Sequence, residues 1–277
     1  MVSHHNVIAQ LLQLRGTLSP GAPEKGLAVL PFFHLSGLIY TLHISILINR
    51  TIIMLTPPFS MANFLRVVAQ YKISNLFLVP PLVILLFNHP LVKEYDLSHV
   101  VGVTSTAAPL STGAIAAFGN HFPNAKLTQG YGMTETTGVL SATPHDLVQA
   151  LPQGSVGRLV GSTQVKIVGA DGNEVPIGGE GEIRAKGPQC ITLGYLGDNK
   201  SSEVLRDKEG WLKTGDWGKI DENGWLFITD RVKEMIKVVL HLKIYLINQY
   251  QPTNPRYRSK AYRSPPQNSK TASSVTP

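Results

Sequence analysis

Gln129-Gly130-Tyr131-Gly132-Met133-Thr134-Glu135-Thr136-Thr137-Gly138 concentrates more usable chemistry than any other stretch of the 277-residue chain. Glycines on both sides of Tyr131 let a ligand approach the backbone while the ring offers a flat apolar face, which suits a nucleobase. Thr134, Thr136 and Thr137 add hydroxyl donors for phosphate oxygens, and Glu135 adds a hard carboxylate oxygen of the kind Mg2+ prefers. Two distant side chains fit the same chemistry. Asp216 follows the turn-like pair Thr214-Gly215, from which a carboxylate can reach the paired hydroxyls of a ribose. His34 ends the apolar run Leu27-Ala28-Val29-Leu30-Pro31-Phe32-Phe33, at the carboxyl edge of what reads as a buried strand. Composition alone gives each a plainer reading: a Gly/Thr loop, a turn aspartate and a packed structural histidine.

Bringing such groups together takes a frame, and the hydrophobic periodicity predicts one. Ser3 to Arg15 reads as a capped helix whose face is Val7, Ile8, Leu11, Leu12 and Leu14. A Pro/Gly loop from Leu18 to Lys25 follows. Then come a strand at Leu27–His34, a helix at Leu38–Leu47, a strand at Thr51–Leu55, a helix at Met61–Tyr71 and a strand at Asn75–Val79. Pro80-Pro81 opens a helix to Asn88, Val100–Ser105 is a strand, Ser111–His121 a helix, and Lys126–Thr128 the strand that carries the motif. Such alternation predicts an α/β fold with a parallel sheet and crossover helices over residues 1–150. From about Leu151 the character changes to short strands and Gly-rich turns, including Gln164–Val168, Asp171-Gly172, Glu182–Lys186 and the Asn223-Gly224 hairpin. The expectation over 151–230 is a small β-barrel. Residues 231–237 read as a hinge, and 238–277 as a tail whose Ser, Pro, Lys and Arg content favours disorder.

The formal charge of +7 invites a nucleic-acid reading, but its location argues against one. After Glu234 there is no acidic residue, whereas Lys237, Lys243, Arg256, Arg258, Lys260, Arg263 and Lys270 follow it; the body is balanced. A single cysteine, Cys190, excludes an internal disulfide and any paired-cysteine metal motif. The apolar run Leu42–Leu55 is broken by Asn49 and Arg50 and is shorter than a membrane span, about 20 apolar residues, and no signal peptide is expected after Met1. Cytoplasmic residence is expected, with a peroxisomal address open for an intact relative, although Val275-Thr276-Pro277 is not S-K-L. Neither G-x-G-x-x-G, G-x-x-x-x-G-K-[ST] nor G-x-S-x-G occurs, which disfavours dinucleotide, P-loop and nucleophile-elbow enzymes.

The QGYGMTE core at Gln129–Glu135 resembles the nucleotide-binding signature of the adenylate-forming acyl/aryl-CoA synthetases, the superfamily of the 4-coumarate-CoA ligases. Four other stretches resemble the same family: Leu30-Pro31-Phe32-Phe33-His34 with Gly37, Ser105-Thr106-Ala107-Ala108-Pro109, Trp211-Leu212-Lys213-Thr214-Gly215-Asp216, and Asp230-Arg231-Val232-Lys233 through Lys237. Thr106 departs from the usual glycine. Gly154–Arg158 and Gly181–Ile183, with Gly194-Tyr195, are similar to landmarks that shape the second subdomain. The likeness covers about residues 2–237. It implies an ATP-dependent ligase that turns a carboxylic acid into acyl-AMP and then into a coenzyme A thioester, with Mg2+. It implies a nucleotide site of Ala107, Ala108, Pro109, Gln129, Gly130, Tyr131, Gly132, Thr134, Asp216 and Arg231, with Glu135 as Mg2+ ligand. It places His34 beside the acyl group, Lys233 at the hinge and Lys237 in the thioester-forming conformation, so His34, Thr134, Glu135 and Lys237 carry the catalytic expectation. An adenylation domain serving a carrier protein and a non-catalytic AMP-binding remnant remain alternatives. The family's phosphate loop belongs upstream of Val2-Ser3-His4 and its lysine-bearing domain beyond Lys237; neither is in this sequence, so a partial product with weak or no turnover is expected.

Overall fold

Caps and prolines set the helix boundaries. Ser3 Oγ accepts the Asn6 N–H at 3.2 Å while Asn6 Oδ1 accepts the Ser3 N–H at 3.0 Å, a reciprocal pair that starts α1 (His4–Arg15). After β1 (Lys25–Ala28), a π-helical segment, Ser36–His43, runs into the single turn α2 (Ile44–Leu47) and on to β2 (Thr51–Met54). Ser60 caps α3 (Met61–Tyr71), whose Phe64, Leu65 and Val68 are buried, each worth about 1.5–3 kcal/mol when fully removed from water. β3 (Asn75–Leu78) leads to α4 (Pro80–Asn88), where the two prolines occupy the first turn and sacrifice no helical hydrogen bond. β4 (Gly102–Ser105), α5 (Thr112–His121, capped by Ser111) and β5 (Lys126–Gln129) complete this half. The computed structural model describes residues 1–19, 21, 24–55 and 58–231, all within one unit, Met1–Met235.

Strands β3, β4 and β5 form a parallel sheet in that order, and β1 pairs in parallel with β2. The second half is β6 (Ser141–Ala142), β7 (Ser155–Leu159), β8 (Gln164–Val168), β9 (Gly181–Lys186), α6 (Asn199–Val204), β10 (Leu212–Ile220) and β11 (Trp225–Arg231). Its strands pair antiparallel in the order β6-β7-β11-β10-β9-β8. This corrects the expected barrel: β6 and β8 are opposite edges of an open sheet. The physical reason is at β6, two residues long, whose Ser141 is bridged to Tyr131 of the motif rather than to β8. Through β6 the antiparallel sheet also reaches back across the boundary expected near residue 151. Leu140, Ile183, Leu212 and Leu226, all fully buried, form its core with Tyr131.

Two other expectations change. The strand expected at Leu27–His34 stops at Ala28, because Pro31 has no N–H to extend a ladder and its carbonyl accepts the His34 N–H at 3.1 Å, closing a turn. The second concerns α1, which has the expected length but only part of the expected inward face: Leu14 is buried and Val7 and Leu11 pack against its cluster. Ile8 and Leu12 are each 58% exposed, whereas Asn6, Gln10 and Gln13 are buried. The amides face inward because long-range partners await them. Gln10 Oε1 accepts the Val139 N–H at 2.6 Å, Gln13 Nε2 donates to Gly161 O at 2.6 Å and to Gln189 Oε1 at 3.0 Å, and Asn6 Nδ2 donates to Pro188 O at 2.8 Å.

Buried and satisfied, Gln10 ties Val139, just after the motif loop, to α1, while Asn6 and Gln13 tie α1 to residues 161–190. Gln10→Ala is expected to lower unfolding stability by about 1–3 kcal/mol, since the Val139 N–H loses its acceptor where water is excluded. Urea titration reads this directly; an unchanged midpoint would mean that the amide contributes nothing.

Lys233, Lys237, the hinge beyond Arg231 and the tail 238–277 lie outside the described residues. Among the described residues no helix is long and apolar enough to cross a membrane.

Candidate functional site

The motif sits where the chain passes from one sheet to the other. Gly130 N–H still donates to Ser105 O at 3.1 Å, continuing the β4–β5 pairing, and one residue later Tyr131 pairs with Ser141 instead. Tyr131 N–H donates to Ser141 O and Ser141 N–H returns to Tyr131 O, both at 3.0 Å. Between these partners the chain makes a compact loop. Thr134–Thr136 is a single 3-10 turn, Gly138 N–H donates to Met133 O at 3.1 Å, and Thr137 (φ +53°) and Gly138 (φ +127°) turn the chain back. From behind, Tyr40 of the π-helical segment touches the loop: its Cε2 lies 3.3 Å from where a Cβ on Gly138 would stand.

Asp216 arrives from the other side. It lies inside β10, not in a tight turn as Thr214-Gly215 suggested, but the strand is bulged there. The β9 register shifts between Lys213 and Trp217, the β11 register shifts between Trp217 and Gly218, and Gly215 has φ +71°. A bulge re-aims a side chain, and here it turns Asp216 inward. Thr214 Oγ1, anchored on Ile183 O at 2.7 Å, accepts the Asp216 N–H at 3.1 Å. Thr214 escaped the sequence reading, where it was only a letter of a motif.

Tyr131 Oη donates to Asp216 Oδ2 at 2.7 Å, with the two residues 7% and 4% exposed. Arg231 ends β11 as the register partner of Asp216. Three positions spread over a hundred residues of sequence therefore meet at one place. Beside them a small cleft of about 30 Å3 is lined by Ala107, Ala108 and Pro109 on one wall, Gln129, Gly130, Tyr131 and Gly132 on another, and Val156 and Ile228 from the antiparallel sheet. Gln129 Oε1 accepts the Leu110 N–H at 2.9 Å and so ties the Ala107–Pro109 turn to β5. Ala107 is held at φ +74°, a left-handed conformation that costs an alanine about 1–2 kcal/mol. Thr106, which replaces the family's glycine, does not line the cleft; it is buried, with its Cγ2 3.3 Å from where a Cβ on Gly130 would stand.

Thr134 is exposed on the 3-10 turn next to Glu135. Glu135 Oε1 accepts the Tyr195 hydroxyl at 2.6 Å, and Glu135 O accepts the Ile191 N–H at 2.8 Å. Burial, followed by the hydrogen bond to Glu135, raises the Tyr195 pKa, so the phenol keeps its proton. Among the described residues no group of three or more His, Cys, Asp or Glu could cage a metal. A partly buried carboxylate with one oxygen free of hydrogen bonds among the described residues fits Mg2+ of the kind held by one carboxylate, phosphate oxygens and water. His34 lies outside the cleft lining, in the turn after β1, where its Nδ1 meets the Ser36 N–H at 3.1 Å and the Ser36 hydroxyl at 2.8 Å. Burial lowers its pKa and favours the neutral ring. The Cys190 thiol is buried, which pushes its pKa up to about 11 and keeps it unreactive.

Comparison with known proteins gives the family and the fold. A family model described as AMP-binding enzyme matches residues 1–196. Probable 4-coumarate-CoA ligase 1 of Dictyostelium discoideum is 36% identical over 241 residues, covering 85% of this chain and 43% of that protein. The chain thus spans less than half the length of the curated relatives it matches. Among solved structures, the luciferase-like enzyme of the nonluminescent mealworm Zophobas morio superposes with a TM-score of 0.73 at 28% identity, covering 84% of this chain and 54% of that one. ATP-bound MatB of Rhodopseudomonas palustris superposes with a TM-score of 0.72 at 27% identity, covering 85% and 46%.

Proposed function

This chain belongs to the AMP-binding enzyme family, and from that premise we propose that it carries the nucleotide site of an ATP-dependent acid–thiol ligase of the 4-coumarate-CoA ligase type. The observation that carries the reading is the buried Tyr131–Asp216 hydrogen bond at the wall of the cleft. It supports the reading because it ties a flat ring to a carboxylate, and adenosine offers a base to stack and two ribose hydroxyls that can donate to such a carboxylate.

A carboxylate is ionised near neutral pH and needs no base. Its oxygen attacks the α-phosphorus of ATP, the bond to the bridging oxygen breaks, and pyrophosphate leaves with that electron pair. The sulfur of coenzyme A then attacks the acyl carbon; AMP departs with its phosphate oxygen and the thiol proton passes to water. Such chemistry asks for positioning and charge neutralisation. Tyr131, packed against Gly130 and Gly132, is the adenine platform, opposed by Ala107, Ala108 and Pro109. Gln129 braces that turn, Asp216 and Arg231 clamp the ribose, and Thr134 donates to phosphate. Glu135 would hold Mg2+, which supplies charge neutralisation at the phosphates. His34 stands on the acyl side, Lys233 at the hinge, and Lys237 serves the thioester step. Residues 1–150 and 151–230 act as the two parts of one AMP-binding domain, followed by the hinge at 231–237 and a distinct segment at 238–277. Cytoplasmic residence, no nucleic-acid partner, and a small carboxylic acid, ATP and coenzyme A as substrates complete the proposal.

Calorimetry of the 277-residue chain with AMP, a cinnamoyl sulfamoyl-adenosine and a dodecanoyl sulfamoyl-adenosine tests it. One acyl analogue is expected to bind at least about 100-fold more tightly than AMP, because it mimics the reaction intermediate, and which one does so identifies the acid class. Binding of AMP with no gain for either analogue would replace the ligase by a non-catalytic AMP-binding protein. No binding of any of the three would remove the nucleotide reading.

A further inference from the structure

We propose that Tyr195 is a positioning residue for the divalent cation, orienting the Glu135 carboxylate through the hydrogen bond to its Oε1 and leaving Oε2 to face the metal; this rests on the nucleotide reading above. The contact is short, 2.6 Å, the length of an O–H donating to a carboxylate anion. Tyr195 is itself held. Its ring packs against the core of the antiparallel sheet, its backbone N–H donates to Ser202 Oγ at 2.8 Å, and it bridges Asp198 just before α6. The same stretch of chain fixes the Glu135 backbone through Ile191 N–H. Glu135 is thus gripped at both ends by residues 191–195, while Glu135 Oε2 has no hydrogen bond among the described residues. A carboxylate on a three-residue 3-10 turn has several rotamers, and one fixed hydrogen bond selects among them. Partners of this kind to ligating groups typically contribute 10–100-fold to metal affinity.

A purely structural tie between the two loops is the competing explanation, and Tyr195→Phe separates the two because it keeps the ring and removes only the donor. Mn2+ serves as the probe, its binding to the ATP-loaded chain followed by electron paramagnetic resonance, with ATP affinity in EDTA measured in parallel. Tyr195→Phe is expected to weaken Mn2+ binding about 10-fold while changing metal-free ATP affinity less than twofold. In a Glu135→Gln background the same substitution should change Mn2+ affinity no further. Unaltered Mn2+ affinity in Tyr195→Phe would overturn the proposal, as would an equal fall in metal-free ATP affinity or a melting temperature lowered by more than about 10 °C, which would mark a structural tie. If the unsubstituted chain binds no ATP, the nucleotide reading falls and this inference with it; if it binds ATP and Mn2+ and Tyr195→Phe leaves Mn2+ affinity unchanged, this inference falls alone.

Discussion

Asp216→Ala is expected to weaken AMP binding about 100-fold and to lower global stability by about 1–3 kcal/mol, because the buried Tyr131 hydroxyl loses the Asp216 carboxylate. A hydrogen bond to a charged acceptor contributes about 1.5–3 kcal/mol, and a carboxylate spanning two ribose hydroxyls loses both, near 3 kcal/mol net, which is about a factor of 100. A second effect adds to it. Tyr131 Oη donates to Asp216 Oδ2, so removing the carboxylate also releases the ring that forms the platform. Asp216→Asn keeps an oxygen for Tyr131 but turns one ribose acceptor into a donor, and about a tenfold loss is expected. Tyr131→Phe keeps the stacking face and should lose less than either. Calorimetric titration with AMP gives all three values. Full affinity in Asp216→Ala would mean that the carboxylate only braces Tyr131.

The second large effect concerns Gly132. A Cβ there would stand 1.8 Å from Gly138 O and 2.7 Å from Val139 Cα. Both are backbone atoms, so no side-chain rotation relieves the clash. To admit alanine the loop must open and break the Gly138 N–H to Met133 O and Leu140 N–H to Tyr131 O bonds that close it. Gly132→Ala is expected to cost about 3–5 kcal/mol, lowering the melting temperature by roughly 10 °C in a domain of this size. Gly113→Ala is the matched control: it lies inside α5 with nothing within 4 Å of the added methyl, and should raise stability by about 0.5–1 kcal/mol. Scanning calorimetry separates the pair; an unshifted melt in Gly132→Ala would show that the loop is not closed in this way.

What the sequence revealed, and what it hid, follows from how local the information was. α3, α4 and α5 are where they were expected to within a residue, because Ser60, Pro80-Pro81 and Ser111 write their starts locally. The face of α1 was legible only in part. Leu14, Val7 and Leu11 pack inward as their spacing suggested, but Ile8 and Leu12 are exposed while the amides at Asn6, Gln10 and Gln13 are buried by partners more than a hundred positions away, which no periodicity encodes. Nor does a strand's sequence disclose that its register will slip, so the bulge that aims Asp216 had no local signal. The barrel expectation failed similarly: turn chemistry gives the number and length of strands, whereas closure depends on which edges meet. The cleft residues were legible only as motif letters, Ala107–Pro109 and Gln129–Gly132. Tyr195 and Thr214 were missed because their work is done on neighbouring side chains across the fold.

A crystal structure of the chain soaked with AMP tests the convergence of Tyr131, Asp216 and Arg231 most directly. The expected result is one adenosine in the cleft, its base between Tyr131 and the Ala107–Pro109 turn and its ribose hydroxyls on Asp216. AMP bound on another surface, or a cleft left empty at saturating AMP, would contradict it.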